Sequence, residues 1–282
     1  MTRFAKLSSL TMVSAIVLSA CSQAGNSSVA PVSPQIAGQA VSRAAGARDV
    51  VKPNTSPYTY VASTPAPGAI AFCPGSEKAV GGGFSNANAG SQTTSSHPAG
   101  AYNGSWKSVD SGGGSITSYV VCVAGSAYTT DYQTATWTAP KSGEEAGLIF
   151  CSSGYEASGG GFAMTSGTVG GSNPLTPVTS STPVDWAANG NPNAAASGTA
   201  YGICVETSGY TVVANTGATS VTATCPSGDV AIGGGFAPNG DIYSNFLITS
   251  SRYNNSHKAW LVTGVNGSGN QLESYAICAS NS

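Results

Sequence analysis

Apolar and polar residues alternate with a period of two along much of the chain, the signature of half-buried β-strands. The segment "AWLVTGV" puts Trp260 and Val262 on one strand face. "SYAICAS" puts Tyr275 and Ile277 on one face and Ala276 and Cys278 on the other. "NFLITSS" and "YTVVANT" are runs of β-branched or aromatic residues bounded by turn formers. No long stretch has the three-to-four-residue apolar spacing of an amphipathic helix. The pattern predicts an all-β protein with many turns.

The pattern also repeats. "CPGSEKAVGGGF" begins at Cys73, "CSSGYEASGGGF" at Cys151 and "CPSGDVAIGGGF" at Cys225. A triple glycine starts eight residues after each cysteine, at Gly81, Gly159 and Gly233, and Phe84, Phe162 or Phe236 closes it. A tryptophan follows 33, 35 and 35 residues after the cysteine, at Trp106, Trp186 and Trp260. Each unit ends in Tyr-x-x-Cys, at Tyr119–Cys122, Tyr201–Cys204 and Tyr275–Cys278. Tyr58 and Tyr210 precede their cysteines by 15 residues and Tyr128 by 23, so the second unit carries an insertion around "WTAPKSGEEAG". Three copies result, at 57–124, 125–206 and 207–282, each expected to supply four or five antiparallel strands. About 70 residues bury too little surface to hold a core without staples. The three copies are therefore expected to form one domain, 57–282, around a pseudo-three-fold axis.

Glycine inside a strand is costly unless it marks a bulge or the close approach of another backbone. Three copies meeting at an axis create such an approach three times, with the adjacent phenylalanine filling the shared core. The Cys-Pro-x-Gly stretches form tight turns in which glycine takes positive φ. Six cysteines allow 15 pairings. Repetition favours Cys73–Cys122, Cys151–Cys204 and Cys225–Cys278, and the rival scheme joins each second cysteine to the first of the next copy. Bridges of either kind suit an oxidising compartment.

Composition adds an address. Only 8% of residues are charged and the formal net charge is −2, so no basic patch offers itself to a nucleic acid. Residues 1–20 read as an export signal: Arg3 and Lys6 precede an apolar run from Leu7 to Ala20 that is too short for a confident membrane span. Residues 21–56 are rich in Ala, Ser, Val, Gln and Pro and read as a flexible linker with a reach on the order of 30 Å. Seven cysteines are odd in number, and the one outside the repeats is Cys21.

"Leu18-Ser19-Ala20-Cys21" resembles the lipobox of bacterial lipoproteins. The resemblance implies cleavage before Cys21, acylation of that residue and anchoring in a membrane. Localisation is then the outer membrane or the cell surface, according to the host. Ser22, which follows in place of an aspartate, resembles sorting to the outer of two membranes. "CPSGDVAIGGGF … W … YAIC" resembles repeats found in secreted bacterial proteins of unassigned activity. More distantly, it is similar to the vitelline membrane outer layer protein I family. That similarity implies a β-prism, in which three antiparallel Greek-key sheets surround a pseudo-three-fold axis.

Candidate chemistry is sparse. His97 and His257 lie in Ser/Asn-rich stretches and are expected in exposed loops, with no carboxylate near in sequence to complete a triad. The acids Asp110, Asp131, Glu156, Asp185, Asp229, Asp241 and Glu273 are scattered, and Glu144 and Glu145 of the insertion are expected to be solvated. No zinc or phosphate-loop spacing is present, and neither a metal nor a cofactor is implied. The repeated Trp106, Trp186 and Trp260 have two readings: ligand-stacking aromatics, or the large core residue of each copy. Trp137, which has no counterpart in the other copies, is expected to be exposed and is a further stacking candidate. The favoured function is a non-catalytic envelope or surface module that binds a glycan or an envelope protein, or serves as a structural coat. The alternative is a polysaccharide hydrolase using carboxylates that only the fold brings together.

Overall fold

The computed structural model describes residues 58–99, 104–124, 129–140, 145–176, 182–191, 194–207, 209–239, 246–266 and 271–281. Among them are eighteen β-strands, six from each copy. The first copy contributes β1 (Thr59–Ala62), β2 (Gly68–Phe72), β3 (Lys78–Asn86), β4 (Thr93–Ala99), β5 (Ser105–Asp110) and β6 (Ile116–Val123). The second contributes β7 (Thr130–Ala139), β8 (Ala146–Phe150), β9 (Tyr155–Ser166), β10 (Val169–Leu175), β11 (Asp185–Gly190) and β12 (Ala196–Glu206). The third contributes β13 (Thr211–Gly217), β14 (Ser220–Thr224), β15 (Asp229–Asn239), β16 (Phe246–Tyr253), β17 (Ala259–Asn266) and β18 (Gln271–Ser280). Six strands replace the expected four or five because β4 ("TTSSHPA") and β10 ("VGGSNPL") lack the apolar rows that advertise a strand.

The strands form three six-stranded antiparallel sheets, and no sheet belongs to one copy. Their orders are β1-β6-β3-β16-β17-β14, β2-β5-β4-β9-β12-β7 and β13-β18-β15-β10-β11-β8. Each copy is split: its first, sixth and third strands enter one sheet, and its fourth, fifth and second enter another. The halves of different copies then join at a short seam. Phe84 and Ser85 face Ser251 and Ser250, Phe162 and Ala163 face Ser96 and Ser95, and Phe236 faces Ser172. The disulfides Cys73–Cys122, Cys151–Cys204 and Cys225–Cys278 close within copies and span 49, 53 and 53 residues. Each links the end of a copy's second strand to its sixth strand, so it staples the two sheets between which that copy is divided.

Each glycine of the triplet meets a different obstacle. Val80, Ser158 and Ile232 are fully buried bulge residues immediately before the first glycines. A Cβ on Gly81 would collide with the Ile232 carbonyl oxygen, one on Gly159 with that of Val80, and one on Gly233 with that of Ser158. The collisions close a ring around the axis. The second glycines, Gly82, Gly160 and Gly234, lie under the indoles of Trp106, Trp186 and Trp260 of their own copies. The third, Gly83, Gly161 and Gly235, abut the carbonyl oxygens of Ser251, Ser96 and Ser172 across the seams. Next to them, Phe84, Phe162 and Phe236 meet edge to face, with ring centroids 6.0–6.4 Å apart. This is the arrangement that ring quadrupoles favour. One hydrophobic core runs through all three copies.

Further ties between copies break the symmetry. The Tyr60 hydroxyl of the first copy donates to the Ala231 carbonyl of the third at 3.1 Å, and Tyr132 of the second donates to Ala79 of the first at 2.7 Å. Burial raises the Tyr132 pKa to about 12, which keeps the donor protonated. The equivalent position in the third copy is Val212, paired with Ile277 as Tyr60 is with Val121 and Tyr132 with Ile203. There Glu156 of the second copy supplies a different clasp, accepting from the Gly209 and Tyr210 amides at 3.3 and 3.0 Å.

The same register relocates the insertion. Thr59, Asp131 and Thr211 face the second cysteine of their copies. Fourteen residues separate Thr59 from Cys73 and Thr211 from Cys225, and twenty separate Asp131 from Cys151. The structural counterpart of Tyr58 and Tyr210 is therefore Thr130, not Tyr128, and the inserted length is smaller than the tyrosine spacing implies.

Candidate functional site

The repeated tryptophans belong to the core. Trp106, Trp186 and Trp260 are 1%, 1% and 0% exposed. Each indole N–H donates to a serine hydroxyl on the preceding strand: Trp106 to Ser96 at 2.9 Å, Trp186 to Ser172 at 3.1 Å and Trp260 to Ser251 at 2.9 Å. That bond satisfies the one polar atom of a buried indole and explains the serine that faces each phenylalanine across the seam. Trp137, expected to be exposed, is 7% exposed. It packs with Ala139, Ala196 and Met164 in a small second cluster. Gly147, Gly190 and Gly198 leave room for its ring. A tryptophan without a counterpart is thus buried among small residues drawn from three strands of its copy. None of the four indoles is placed to stack on a ligand.

An axial cavity lies among the seams, lined by the second and third glycines, the three phenylalanines, and Ser96, Ser172 and Ser251. Its three hydroxyls already accept from the indoles, and it has room for about one water molecule.

The tyrosines of Tyr-x-x-Cys mark the half-buried outer side of the seams, where Tyr119, Tyr201 and Tyr275 stand opposite the third glycines. Two of them are met by a residue from the adjoining copy's fourth strand, and the third bonds within its own strand. His97 stacks on Tyr201 with centroids 4.2 Å apart and planes at 10°. The Arg252 guanidinium carbon lies 5.2 Å from the Tyr119 ring centroid, a cation–π distance. At the third seam the register position belongs to Asn173, and the Tyr275 hydroxyl donates to Glu273 at 2.7 Å.

Both histidines pack on tyrosines: His97 lies in a strand, whereas His257 sits, as expected, in the loop between β16 and β17 but is half-buried there. His97 lies in β4 and is half-buried, with Nδ1 at 2.7 Å from the Pro98 carbonyl. His257, at φ 58°, ends a turn in which the Lys258 amide and the Ser256 hydroxyl both donate to Asn254 Oδ1. Its ring stacks on Tyr60 at 3.8 Å and 1°, with Tyr253 at 5.3 Å edge-on. Burial lowers the pKa of both imidazoles, and the Lys107 charge lowers that of His97 further against the opposing effect of the Pro98 bond.

A lowered folded-state pKa makes the unfolded chain the better proton acceptor below about pH 6.5. Stability is then complete from about a unit above that pH, falls as the pH drops through it, and levels off once the folded imidazoles titrate. The melting temperature is expected to drop between about pH 7.5 and 5. The drop should shrink in the His97→Asn/His257→Asn double variant. Asparagine already occupies the equivalent seam position at Asn173, and it tolerates the left-handed backbone of His257. An unchanged drop in the double variant would show that other groups cause it.

The acids are dispersed among separate tasks. Asp110 is buried in a turn network; desolvation opposes its charge, but the Ser91 hydroxyl, Gly114 amide and Asn86 amide outweigh it and hold the pKa below the usual range. Asp185 accepts from the Cys151 amide at 3.0 Å. Asp131 accepts from Gln133 at 2.7 Å, and Glu145 is exposed. Burial raises the pKa of Glu273 despite its bond from Tyr275. Asp241 and Glu144 lie outside the described residues. Among the described residues, no three of His, Cys, Asp and Glu gather as a metal site would require.

The features that sequence reading missed are apolar and exposed. Phe72 is 66% exposed, Phe150 64% and Ile70 38%. Phe72 and Phe150 are the last residues of the second strands β2 and β8. The signal was present in the alternation of "GAIAF" and "AGLIF", whose outer row ends on phenylalanine. No protein-family model matches the chain, and no curated protein matches it.

Proposed function

We propose that the chain is a lipid-anchored, exported envelope protein whose three-copy β-domain acts as a non-catalytic binding or structural module. The observation that carries this reading is the cysteine pairing. Six cysteines pair with one another, which leaves Cys21, at the lipobox position, without a partner in the chain. Three bridges suit the oxidising space outside the cytoplasm. A second support is the use made of the chemistry-bearing groups: indoles, imidazoles and buried acids are spent on packing, seams and turns. The outer surface keeps neutral hydroxyls, such as the exposed row Thr134, Thr136 and Thr138 along β7, which suits a glycan or protein partner better than a highly charged one. Cys21 itself lies outside the described residues.

Cys21→Ser tests the anchor. The parent is expected in the detergent phase of a detergent–water partition, with a mass increment of acyl chains on its N-terminal peptide. The variant is expected in the aqueous phase without that increment. Equal partitioning of the two would overturn the anchor. For the module itself, a glycan array probed with the soluble variant is expected to give saturable binding to a neutral polysaccharide. Release of reducing ends from such a polysaccharide would instead favour the hydrolase.

A further inference from the structure

The sheet registers place all three cysteine turns at one end of the sheets. Within each sheet the seam is antiparallel. This brings the early part of β3 beside the late part of β16, and likewise β9 beside β4 and β15 beside β10. The late part of each fourth strand lies at its own copy's cysteine end: Ala99 faces Ser105, next to the Gly104–Cys73 bond, and Leu175 faces Asp185, which faces Phe150. In the third copy the turn after β16 ends at Lys258, whose carbonyl accepts from the Cys225 amide. The contacts of Tyr60 with His257 and Ala231, and of Tyr132 with Ala79, join neighbouring copies at this same end.

Two further observations meet there. Phe72 and Phe150, the two most exposed large apolar residues described, immediately precede Cys73 and Cys151. The domain also begins there: Thr59 faces Cys122, and its hydroxyl donates to Glu77 at 3.2 Å. The segment running back to Cys21 therefore joins the domain at the end that carries both phenylalanines.

We infer that this end rests on the lipid surface in which Cys21 is anchored, with the Phe72 and Phe150 rings in the headgroup region. The inference rests on the anchor proposed above. The composition of residues 21–56 is that of a flexible linker, for which the root-mean-square reach would be on the order of 30 Å. At that range a weak apolar contact becomes intramolecular and is populated at high effective concentration. The charges nearby are mostly acidic, with Glu77, Asp131, Glu156, Asp185, Glu206 and Asp229 against Lys78 and Lys258, and offer nothing to an anionic lipid. The contact is therefore apolar and does not depend on anionic lipid. Apolar side chains seated at the headgroup boundary are how proteins lie on a bilayer without crossing it.

The test uses the full lipidated chain in phosphatidylcholine vesicles, with Phe72→Trp and Phe150→Trp made singly. Thr165→Trp serves as the control, exposed near the far end of β9. The native indoles are buried and form a common background. The expected result is a blue shift and a loss of emission to brominated lipid for the substitutions at 72 and 150, unaffected by salt, and neither change at 165. A chain that floats with the vesicles while all three remain unquenched would overturn this inference and leave the anchor standing. A chain that does not float would overturn both. Shielding at 72 and 150 only when another protein is added would assign this end to a protein partner and overturn the lipid contact.

Discussion

Gly161→Ala is expected to remove a large share of the stability of the domain. The new methyl would overlap the Ser96 carbonyl oxygen and lie 2.9 Å from the His97 Cα. Both neighbours are backbone, and both lie in the seam that joins the second copy to the first, so no side chain can turn aside. Overpacking a core costs about 1–3 kcal/mol and more where the backbone must move. Here a cost of about 3–5 kcal/mol is expected, against a total of about 5–15 kcal/mol for a typical domain. Gly68→Ala is the control, because a methyl there meets nothing within 4 Å. Urea unfolding should give a much lower midpoint for Gly161→Ala and a midpoint near the parent for Gly68→Ala. Equal midpoints for the two would mean that the seam is not closely packed.

Removing the bridge of the second copy, with Cys151→Ala and Cys204→Ala together, is the second large effect. The closed loop spans 53 residues, for which the chain-entropy account gives about 4 kcal/mol. The consequence should spread beyond the copy that loses the bond. That bridge ties β12, in the sheet shared with the first copy, to the end of β8, in the sheet shared with the third. The variant is therefore expected to lose near-ultraviolet dichroism from tryptophans of all three copies in one transition, at a lower temperature than the parent. A transition confined to the second copy would show that the copies fold as separate units.

Both expectations follow from the way copies share sheets. A copy alone would present two half-sheets, each with an open seam edge, and one phenylalanine of a three-ring cluster. Edge strands left open in this way invite pairing with other chains, and closing the three seams leaves no such edge at the axis.

Much of this was legible in the residues, for identifiable reasons. A phenylalanine after three glycines, written three times, announced an axis where backbones meet, because only the absence of a side chain permits that approach. Repetition favoured the pairing of Cys73 with Cys122 and its two counterparts over the rival scheme, and the structure has that pairing. Other features were not legible. The "TTSSHPA" strand is polar because Ser96 must serve the Trp106 indole while His97 faces a tyrosine of another copy. Neither demand is visible locally. Trp137 looked exposed because nothing repeated it, yet Gly147, Gly190 and Gly198, from three different strands, make its pocket. The packing of the histidines was hidden because their tyrosine partners are about a hundred residues or more away in the chain.

By itself, then, the amino-acid order determined the strand periodicity, the three units and the crowded axis, all of which are recorded in local spacing, while the choice between two cysteine-pairing schemes waited for the structure. Only the tertiary structure decided that each copy gives half of its strands to one sheet and half to another, and that Phe72 and Phe150 stand free at the end where the chain arrives. Backbone hydrogen bonds between antiparallel strands are the same whichever strands form them. The choice of partner is settled by closing three units around one core, a condition on the whole chain that no short stretch can express.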